Sequence, residues 1–332
     1  MKVLLTTVPG LEFIVQEELG EIIGKTQVTY SPLTGRVFAE VEEEKLPSIL
    51  SLHSVEAARI ILSQAPELEE AVQASLSHLE QLTRGVGVQT FAVLAERISK
   101  DAPFTSLDLA REIGKLLAEK LNLRVQLDAP DLVVYAEYNS GQYSLGVDLA
   151  PFASLRDRPY RAWLHRSALN PIIAYAMCRL AMPFTKVLDP FCGGGTIILE
   201  CQGLAAAQEA ICSDVNLKAV EGAHLNAQLV RAAPHLLVQD VRFSALRRKP
   251  GLDAVIANPP FGIRERAVGG IKRVYKALFN AAYESLEPGG KLVVLSPLKK
   301  TVIENAELFH LNRLVEISEG GLRSWVFVFT RG

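Results

Sequence analysis

The chain has 332 residues, 49% of them hydrophobic, and a formal net charge of −2. That length allows two or three domains, and the sequence contains neither a low-complexity segment nor about 18 uncharged apolar residues in a row, as a membrane helix would need. The apolar run at the start is too short for a signal peptide, so we expect a cytoplasmic protein without membrane contact.

Charge is distributed unevenly along the chain. Residues 1–150 contain 12 basic and 22 acidic side chains, whereas residues 151–332 contain 23 basic and 15 acidic ones. A boundary near residue 150 therefore separates an acidic part from a basic one, and a polyanionic partner would be attracted to the second.

The first half mixes helical and strand patterns in the manner of an α+β region of ferredoxin-like type. Apolar residues recur at helical spacing over 11–23, and the acidic side chains between them form a solvated face. Further helices are predicted near 54–62, 67–82 and 106–121, and strands near 3–8, 36–41, 91–95, 125–127, 132–136 and 143–147. We expect an N-terminal ferredoxin-like domain at 1–62 and a second domain at 63–150.

From residue 168 onward, strands alternate with helices, as in a doubly wound α/β sheet that is covered on both faces. The predicted helices are 168–180, 195–204, 217–229 and 271–286, and the predicted strands are 186–189, 210–213, 236–239, 252–257 and 291–296. Gly320 and Gly321 separate two further β-rich segments and predict a closing antiparallel hairpin. A seven-stranded Rossmann-like domain is therefore expected over 167–332.

The predicted linker, residues 151–166, is basic and aromatic. Guanidinium groups bind phosphates and aromatic rings stack on bases, so this composition favours contact with nucleic acid. Arg158 and Arg161 are the candidate contacts. An ordinary solvated connector is the alternative.

Residues 189–196 lead from a buried strand to a helix through three consecutive glycines. Doubly wound sheets bind ligands beyond the carboxyl ends of their strands, where glycine lets the backbone approach a ligand closely. The loop lacks Gly-Lys-Ser/Thr and the G-x-G-x-x-G spacing, and its acid, Asp189, would repel a pyrophosphate but suits the cationic end of S-adenosylmethionine. Asp214 and Asp240 close the next two strands, where carboxylates can bind ribose hydroxyls and an adenine amino group. A plain turn is the alternative.

Asn258-Pro259-Pro260-Phe261 directly follows the strand predicted at 252–257. Pro259 disfavours helical geometry at Asn258, and each proline fixes its own φ, so the loop is stiff. The Asn258 side-chain oxygen and the Pro259 carbonyl can accept hydrogen bonds from one –NH2 group, while Phe261 can stack on the ring that carries it. This arrangement predicts methylation of a planar exocyclic amine, with positioning as the main catalytic contribution. A plain Pro-Pro turn is the alternative.

Basic residues follow the loop at 258–261, and they could bind phosphates beside a flipped base. They are Arg264, Arg266, Lys272 and Arg273. A second cluster at 247–249 is equally well explained as a solvated surface.

The four cysteines are Cys178, Cys192, Cys201 and Cys212. They form no close pair and have no histidine beside them, so we expect no metal site and reduced, buried thiols.

The second half resembles the Rossmann-fold amino-methyltransferases, whose signature is Asn/Asp-Pro-Pro followed by an aromatic residue. Residues 189–200 are similar to their first motif, Asp214 and Asp240 match their ribose and adenine positions, and 166–171 resembles the motif before the methionine end of the cofactor. The resemblance implies S-adenosylmethionine as cofactor and catalytic roles for Asn258, Pro259 and Phe261. The cofactor contacts that it implies are Asp189, Phe191, Gly193, Gly195, Thr196, Asp214, Val215, Asp240, Val241, Ser167 and Leu169.

The first half resembles the THUMP domain of RNA-modifying enzymes, preceded by their ferredoxin-like domain. The similarity runs from 104–114 through 130–131 to 146–149 and 158–161. Together the two halves are similar to the tRNA guanine-N2 methyltransferases, in particular to the group that modifies position 6 of the acceptor stem. The resemblance implies a THUMP domain at 63–150 that holds the tRNA 3′ end. From the composition of their segments we expect RNA contacts at Arg158, Arg161, Arg264, Lys272 and Arg273, and we expect a monomer.

Several other functions share parts of this pattern. An rRNA guanine-N2 methyltransferase would have the same catalytic loop, and a DNA adenine-N6 or cytosine-N4 enzyme would need a separate target-recognition domain. A protein-glutamine methyltransferase usually has tyrosine at the position of Phe261, and a non-catalytic RNA-binding module would require a vestigial cofactor loop. The acidic first half also departs from the usual balance of an RNA binder, so local basic clusters, the linker or the second half must supply the affinity.

Overall fold

The computed structural model describes residues 1–164, 168–204, 207–243, 251–262 and 270–332. The chain divides into two compact units. The first contains residues 1–6, 18–30 and 36–155, and the second contains residues 7–17, 31–35 and 156–332. The second unit therefore takes two short segments from the beginning of the chain.

The first unit is built on an eight-stranded, mostly antiparallel sheet. Its strands are β1 (Lys2–Thr6), β2 (Val28–Tyr30), β3 (Arg36–Glu40), β4 (Ala57–Ala65), β5 (Thr90–Arg97), β6 (Arg124–Val125), β7 (Leu132–Asn139) and β8 (Gln142–Asp148). They lie in the order β2-β3-β1-β4-β8-β7-β5-β6, and β5 pairs in parallel with β6 and β7. The helices in this part of the chain are α1 (Glu12–Ile23), α2 (Leu46–Ile49), α3 (Leu68–Val86) and α4 (Ser106–Leu121), with a 3-10 turn at Glu43–Lys45. The division between the units falls within α1.

Helices α3 and α4 pack on the sheet through a buried apolar cluster that includes Val72, Leu79, Ile113, Leu117 and Val134. The amphipathic spacing of these helices supplies the face that they bury. Thr105 caps the N-terminus of α4, and it forms a reciprocal capping box with Asp108. The predicted α+β character of this region is confirmed.

The prediction of a helix at 54–62 is wrong, because most of this segment belongs to strand β4 (Ala57–Ala65). Strand β4 lies between β1 and β8 and pairs with both, so tertiary hydrogen bonding overrides the helix-favouring composition of the segment. The charge of Arg59 is accommodated inside the unit by Asp148 and Glu96, at 3.3 and 3.0 Å.

The second unit is built on a seven-stranded sheet with helices on both faces. Its strands are β9 (Lys186–Asp189), β10 (Glu209–Asp214), β11 (His235–Val238), β12 (Leu252–Ala257), β13 (Leu286–Ser296), β14 (Phe309–Glu319) and β15 (Leu322–Arg331). Its other helices are α5 (Pro171–Ala181), α6 (Thr196–Gly203), α7 (Leu217–Leu229), α8 (Ile271–Ser285) and α9 (Lys299–Asn305), with a 3-10 turn at Val241–Phe243. The order is β11-β10-β9-β12-β13-β15-β14, with β9 to β13 parallel and β15 antiparallel to both of its neighbours.

This topology confirms the doubly wound Rossmann-type domain with a closing hairpin. Gly320 and Gly321 form its turn with φ of +55° and +79°, a region that glycine tolerates. One apolar core lies on each face of the sheet. Because β9, β10 and β12 are parallel, their carboxyl ends meet at one edge of the sheet, where the loops predicted to carry the chemistry begin.

The start of the chain completes one of these cores. Val8, Leu11 and Ile14 are buried in the same apolar cluster as residues of α5 and β15. Ser318 donates a backbone hydrogen bond to the Pro9 carbonyl at 3.1 Å. Gly10 has φ +101°, and a Cβ there would overlap the Glu316 carbonyl, so only glycine allows this approach.

The expectation of reduced cysteines is wrong. Disulfides join Cys178 of α5 to Cys201 of α6, and Cys192 of the loop after β9 to Cys212 of β10, with Cα–Cα distances of 5.3 and 5.4 Å. The partners are 23 and 20 residues apart in sequence, and they meet because α5 packs on α6 and β9 pairs with β10.

Within the described ranges, no helix combines the length and apolarity needed to cross a membrane. The same residues contain no group of three or more His, Cys, Asp or Glu side chains that could hold a metal ion.

Candidate active site

The glycine loop after β9 has a tightly folded backbone. Gly193 and Gly195 have left-handed φ of +52° and +83°, and Gly195 donates a backbone hydrogen bond to the Cys192 carbonyl at 2.7 Å. Gly195 then serves as the N-cap of α6, and Thr196 is the first residue of that helix. A Cβ at Gly193 would meet no atom within 4 Å, so the backbone there faces open space that a ligand could fill.

Asp189 ends β9 and is 1% exposed. Burial raises the pKa of its carboxyl to about 8, the backbone N–H of Phe191 partly offsets this by donating a hydrogen bond at 2.9 Å, and the charge of Asp214 raises the pKa further. A cation beside this carboxyl would favour its ionised form. The contact between Asp189 and a positively charged ligand group stays a prediction.

Asp214 ends β10 and holds the glycine loop from the neighbouring strand. One carboxylate oxygen accepts a hydrogen bond from the backbone N–H of Gly193 at 3.0 Å, and the other accepts from that of Asn216 at 2.9 Å. Val215 follows with 67% of its surface exposed, as an apolar side chain at the edge of the sheet. The ribose and adenine contacts expected for these two residues stay predictions.

Asp240 lies beyond the end of β11 and is already paired. The Nε atom of Arg242 donates to both of its carboxylate oxygens at 3.0 Å, and these bonds lower the pKa of Asp240. Phe243 is 80% exposed, and the Arg242 guanidinium lies 5.6 Å from the centroid of its ring. Val241 is buried in the core, so its side chain is not accessible to a ligand. An adenine amino group would have to share Asp240 with Arg242.

Asn258 begins the predicted catalytic loop directly after the buried end of β12. Its side-chain oxygen is buried and has no hydrogen-bond partner among the described residues. A buried acceptor without a donor costs about 1–3 kcal/mol, and such groups in native structures usually have a functional reason. Pro259 is buried, and Phe261 is half-buried and packs against the core beside the loop.

The residues predicted to bind RNA differ in their surroundings. Lys272 and Arg273 are exposed in the first turn of α8, whereas the Arg158 side chain is 7% exposed and its Nε donates to Glu200 at 2.8 Å. Arg161 is half-buried. Arg158 could reach an RNA phosphate only if its ion pair opened. Arg264 and Ser167 lie outside the described residues, and Leu169 packs against the core.

Sequence reasoning missed two buried polar residues near the cofactor loop. Glu200 on α6 accepts hydrogen bonds from Arg158 and, at 2.6 Å, from the Tyr160 hydroxyl. Asn226 on α7 is 2% exposed and bonds to the backbone of Trp163 and Gly194. The available signal was a single polar side chain on an otherwise apolar helix face, since such a group needs a specific partner.

The fold and this edge of the sheet define a Rossmann-fold methyltransferase, and comparison with known proteins agrees. The family described as "RMKL-like, methyltransferase domain" matches residues 158–319, and the THUMP domain matches residues 64–148. The tRNA (guanine(6)-N2)-methyltransferase of Thermus thermophilus is 32% identical over 337 residues, which cover 98% of each chain.

Two solved structures extend the comparison. The structure of TrmN from Thermus thermophilus matches 100% of this chain and 99% of its own with a TM-score of 0.83 and 27% identity. SMU.472, solved in complex with SAH, matches 100% of this chain and 98% of its own with a TM-score of 0.77 and 16% identity, which shows the shared fold alone. The chain belongs to the tRNA (guanine-N2)-methyltransferase family and joins a THUMP domain to an RMKL-like methyltransferase domain.

Proposed function

We propose that this methyltransferase uses S-adenosylmethionine to methylate the exocyclic N2 of a guanosine in tRNA, at position 6 of the acceptor stem. The observation that carries the proposal is the buried side-chain oxygen of Asn258 at the carboxyl edge of the sheet, which has no hydrogen-bond partner in the part of the chain that the structure describes. An amino group on a substrate would supply the donor that this oxygen lacks.

The residues present fit the cofactor. The open backbone at Gly193, the carboxylate of Asp214 and the exposed Val215 suit its nucleoside, and the buried Asp189 suits the cationic methionine end. When bound, the cofactor supplies an electrophilic methyl group. The further contacts that we propose for it are Phe191, Gly195, Thr196, Asp240, Val241, Ser167 and Leu169.

In this proposal the catalytic loop orients the exocyclic amino group of the substrate base. The nitrogen lone pair of an aromatic exocyclic amine is delocalised into the ring, and accepting both of its hydrogens outside the ring plane restores nucleophilicity. Asn258 Oδ1 and the Pro259 carbonyl provide the two acceptors, and Phe261 provides a ring that can stack on the base. No strong base is needed, because the amine becomes acidic once its lone pair has been used. Positioning of this kind can lower a barrier by up to about 7–11 kcal/mol.

The choice of tRNA and of position 6 rests on the relatives. The Thermus protein named for guanine 6 aligns with almost the whole chain, and the THUMP match lies in the first half. We propose the domain limits 1–62, 63–150, 151–166 and 167–332, and we propose RNA contacts at Arg161, Lys272 and Arg273, with Arg158 and Arg264 as further candidates. A cytoplasmic, monomeric enzyme is part of the same proposal.

The test is transfer of labelled methyl from S-adenosylmethionine to an unmodified tRNA transcript, followed by digestion and identification of the nucleoside by mass. We expect N2-methylguanosine, and no label when the base pair containing guanosine 6 is exchanged for one without guanine at that position. Label in another guanosine would overturn the position alone. Label in N6-methyladenosine, or in protein, would overturn the substrate class.

A further inference from the structure

Trp163 packs its ring on two glycines of the second unit. A Cβ at Gly222, on α7, would overlap the indole, and a Cβ at Gly194, in the cofactor loop, would lie 3.1 Å from its Cε3 atom. Both glycines therefore leave room for the same side chain. Trp163 is half-buried and lies in the segment that contains Arg158 and Arg161.

Asn226 connects the backbone of Trp163 to the cofactor loop. Its Oδ1 accepts from the Trp163 N–H at 2.8 Å, and its Nδ2 donates to the Trp163 carbonyl at 2.8 Å and to the Gly194 carbonyl at 2.9 Å. One acceptor and both amide hydrogens are thereby used inside the protein. Replacement of this amide by alanine would remove all three of these hydrogen bonds from part-buried backbone groups.

The bonded glycine lies at the centre of the loop that the cofactor would approach. Gly194 is flanked by Gly193 and Gly195, which both have left-handed φ, so the loop has little side-chain packing of its own to fix its conformation. A buried amide that donates to the Gly194 carbonyl supplies that restraint from outside the loop. The segment around Trp163 is in turn anchored to α6, because Arg158 and Tyr160 both donate to Glu200.

We propose that Asn226 and Trp163 are positioning residues that hold Gly194, and with it the glycine loop, in the conformation that binds the cofactor. The inference rests on the proposed use of S-adenosylmethionine. The proposed positioning role differs from a general stabilising role in its effect on kinetics. Loss of the restraint on Gly194 should weaken cofactor binding more than it slows methyl transfer at saturating cofactor. Binding of tRNA should not change.

The experiment compares wild-type protein with Asn226→Ala, Asn226→Asp and Gly222→Ala. Asn226→Asp keeps the acceptor for the Trp163 N–H but loses both donors, and Gly222→Ala displaces the indole without touching the amide. Calorimetry with S-adenosylhomocysteine gives the Kd, steady-state kinetics give KM for the cofactor, KM for tRNA and kcat, and thermal melting confirms that each variant is folded. Gln228→Ala, at an exposed position on the same helix, is the matched control.

We expect Kd and cofactor KM to rise about tenfold in each Asn226 variant, the effect of losing a buried hydrogen bond of about 1.4 kcal/mol. Gly222→Ala should also raise Kd and the KM for the cofactor. In all three variants kcat should change less than about threefold. Unchanged affinity in folded Asn226→Asp and Gly222→Ala would overturn the inference, as would a rise in tRNA KM alone. If Asn226→Ala does not fold, the other two variants decide. Absence of cofactor binding by the wild-type protein would instead overturn the proposed function.

Discussion

Asp189 and Asp214 end neighbouring parallel strands, and the negative charge of Asp214 adds to burial in raising the pKa of Asp189. Asp214 itself is held by the backbone N–H groups of Gly193 and Asn216. With a pKa of about 8, the buried Asp189 is largely neutral at neutral pH, whereas the Asp214 carboxylate is hydrogen-bonded to the backbone of the loop beside it.

The pKa of about 8 at Asp189 predicts that cofactor affinity depends on pH. A cationic ligand favours the ionised carboxyl, so binding below pH 8 should release a proton. Between pH 6 and 7.5 the Kd for S-adenosylmethionine should fall by up to about tenfold per pH unit as pH rises. Calorimetry in buffers of different ionisation enthalpy measures the released proton, and Asp189→Asn should remove it. Equal proton release from both proteins would contradict the assignment.

The Asp189 carboxyl also makes folding stability depend on pH. Stability should fall as pH rises, whereas cofactor affinity should increase. Its folded pKa lies above the ordinary value of 3.8, so its contribution to stability is complete below about pH 4 and is lost as pH rises through 8. The cofactor-free protein should therefore lose stability between pH 7 and 9 to a greater extent than Asp189→Asn. Chemical unfolding at the two pH values gives the comparison.

Asn258→Ala should lower kcat by about 10²- to 10³-fold or more, by analogy with removal of one oriented hydrogen-bonding group from an active site. The Kd for S-adenosylhomocysteine should not change, because Asn258 is proposed to contact the substrate amine. Asn258→Asp keeps an acceptor oxygen and should retain more activity than the alanine variant. Loss of cofactor binding in the folded alanine variant would show that the residue has a different role.

Arg158 and Arg161 form a matched pair of variants. Arg158→Ala removes an ion pair from the buried Glu200 and should cost about 3–5 kcal/mol of unfolding free energy. Arg161→Ala should lower the free energy of unfolding much less. It should weaken tRNA binding and make the affinity for tRNA less dependent on salt concentration. Denaturant unfolding and filter binding at several salt concentrations separate the two effects. A stable Arg158→Ala protein with weakened tRNA binding would restore the RNA contact predicted for that residue.

The two disulfides predict that no thiol is free in the oxidised protein. Alkylation in denaturant without reductant should leave the mass unchanged, whereas prior reduction should allow four modifications. Each bond closes a loop of roughly 20 residues and should contribute about 3 kcal/mol to stability. The double variant Cys178→Ala/Cys201→Ala measures one of these contributions. Alkylation of all four cysteines before reduction would contradict the pairing.

Gly10→Ala should lower the free energy of unfolding by about 3 kcal/mol or more, because the new Cβ combines a strained φ with overlap at the Glu316 carbonyl. Gly24→Ala is the control, since Gly24 has φ +80° but no atom within 4 Å of the added Cβ. It should cost only about 1–2 kcal/mol, the effect of φ alone. If denaturant unfolding showed that Gly10→Ala and Gly24→Ala lose the same free energy of unfolding, the close contact between Gly10 and the Glu316 carbonyl would be contradicted.

Sequence periodicity predicted the second unit closely, because central strands such as β12 are near-continuously apolar and alternate with helices. Helix α7 and strand β12 lie at the residues expected, 217–229 and 252–257. Strand β4 was missed because Ala57 and Ala58 favour a helix locally, and only pairing with β1 and β8 decides otherwise.

Side-chain partnerships were harder to predict than elements. The acids at strand ends are found by counting strands, so Asp189, Asp214 and Asp240 could be identified from sequence. The bond between Asn226 and Gly194 joins positions 32 residues apart, and no local pattern specifies which partner a buried amide will find. The disulfide partners were missed for the same reason.

The shared core of residues 7–17 and the C-terminal strands has a consequence for biosynthesis. Val8, Leu11 and Ile14 are synthesised long before Val326 and Val328, which pack in the same cluster. The second unit therefore cannot close its core until β15 has been synthesised. A protein expressed from residue 156 onward would lack these apolar side chains and expose the surface that they cover.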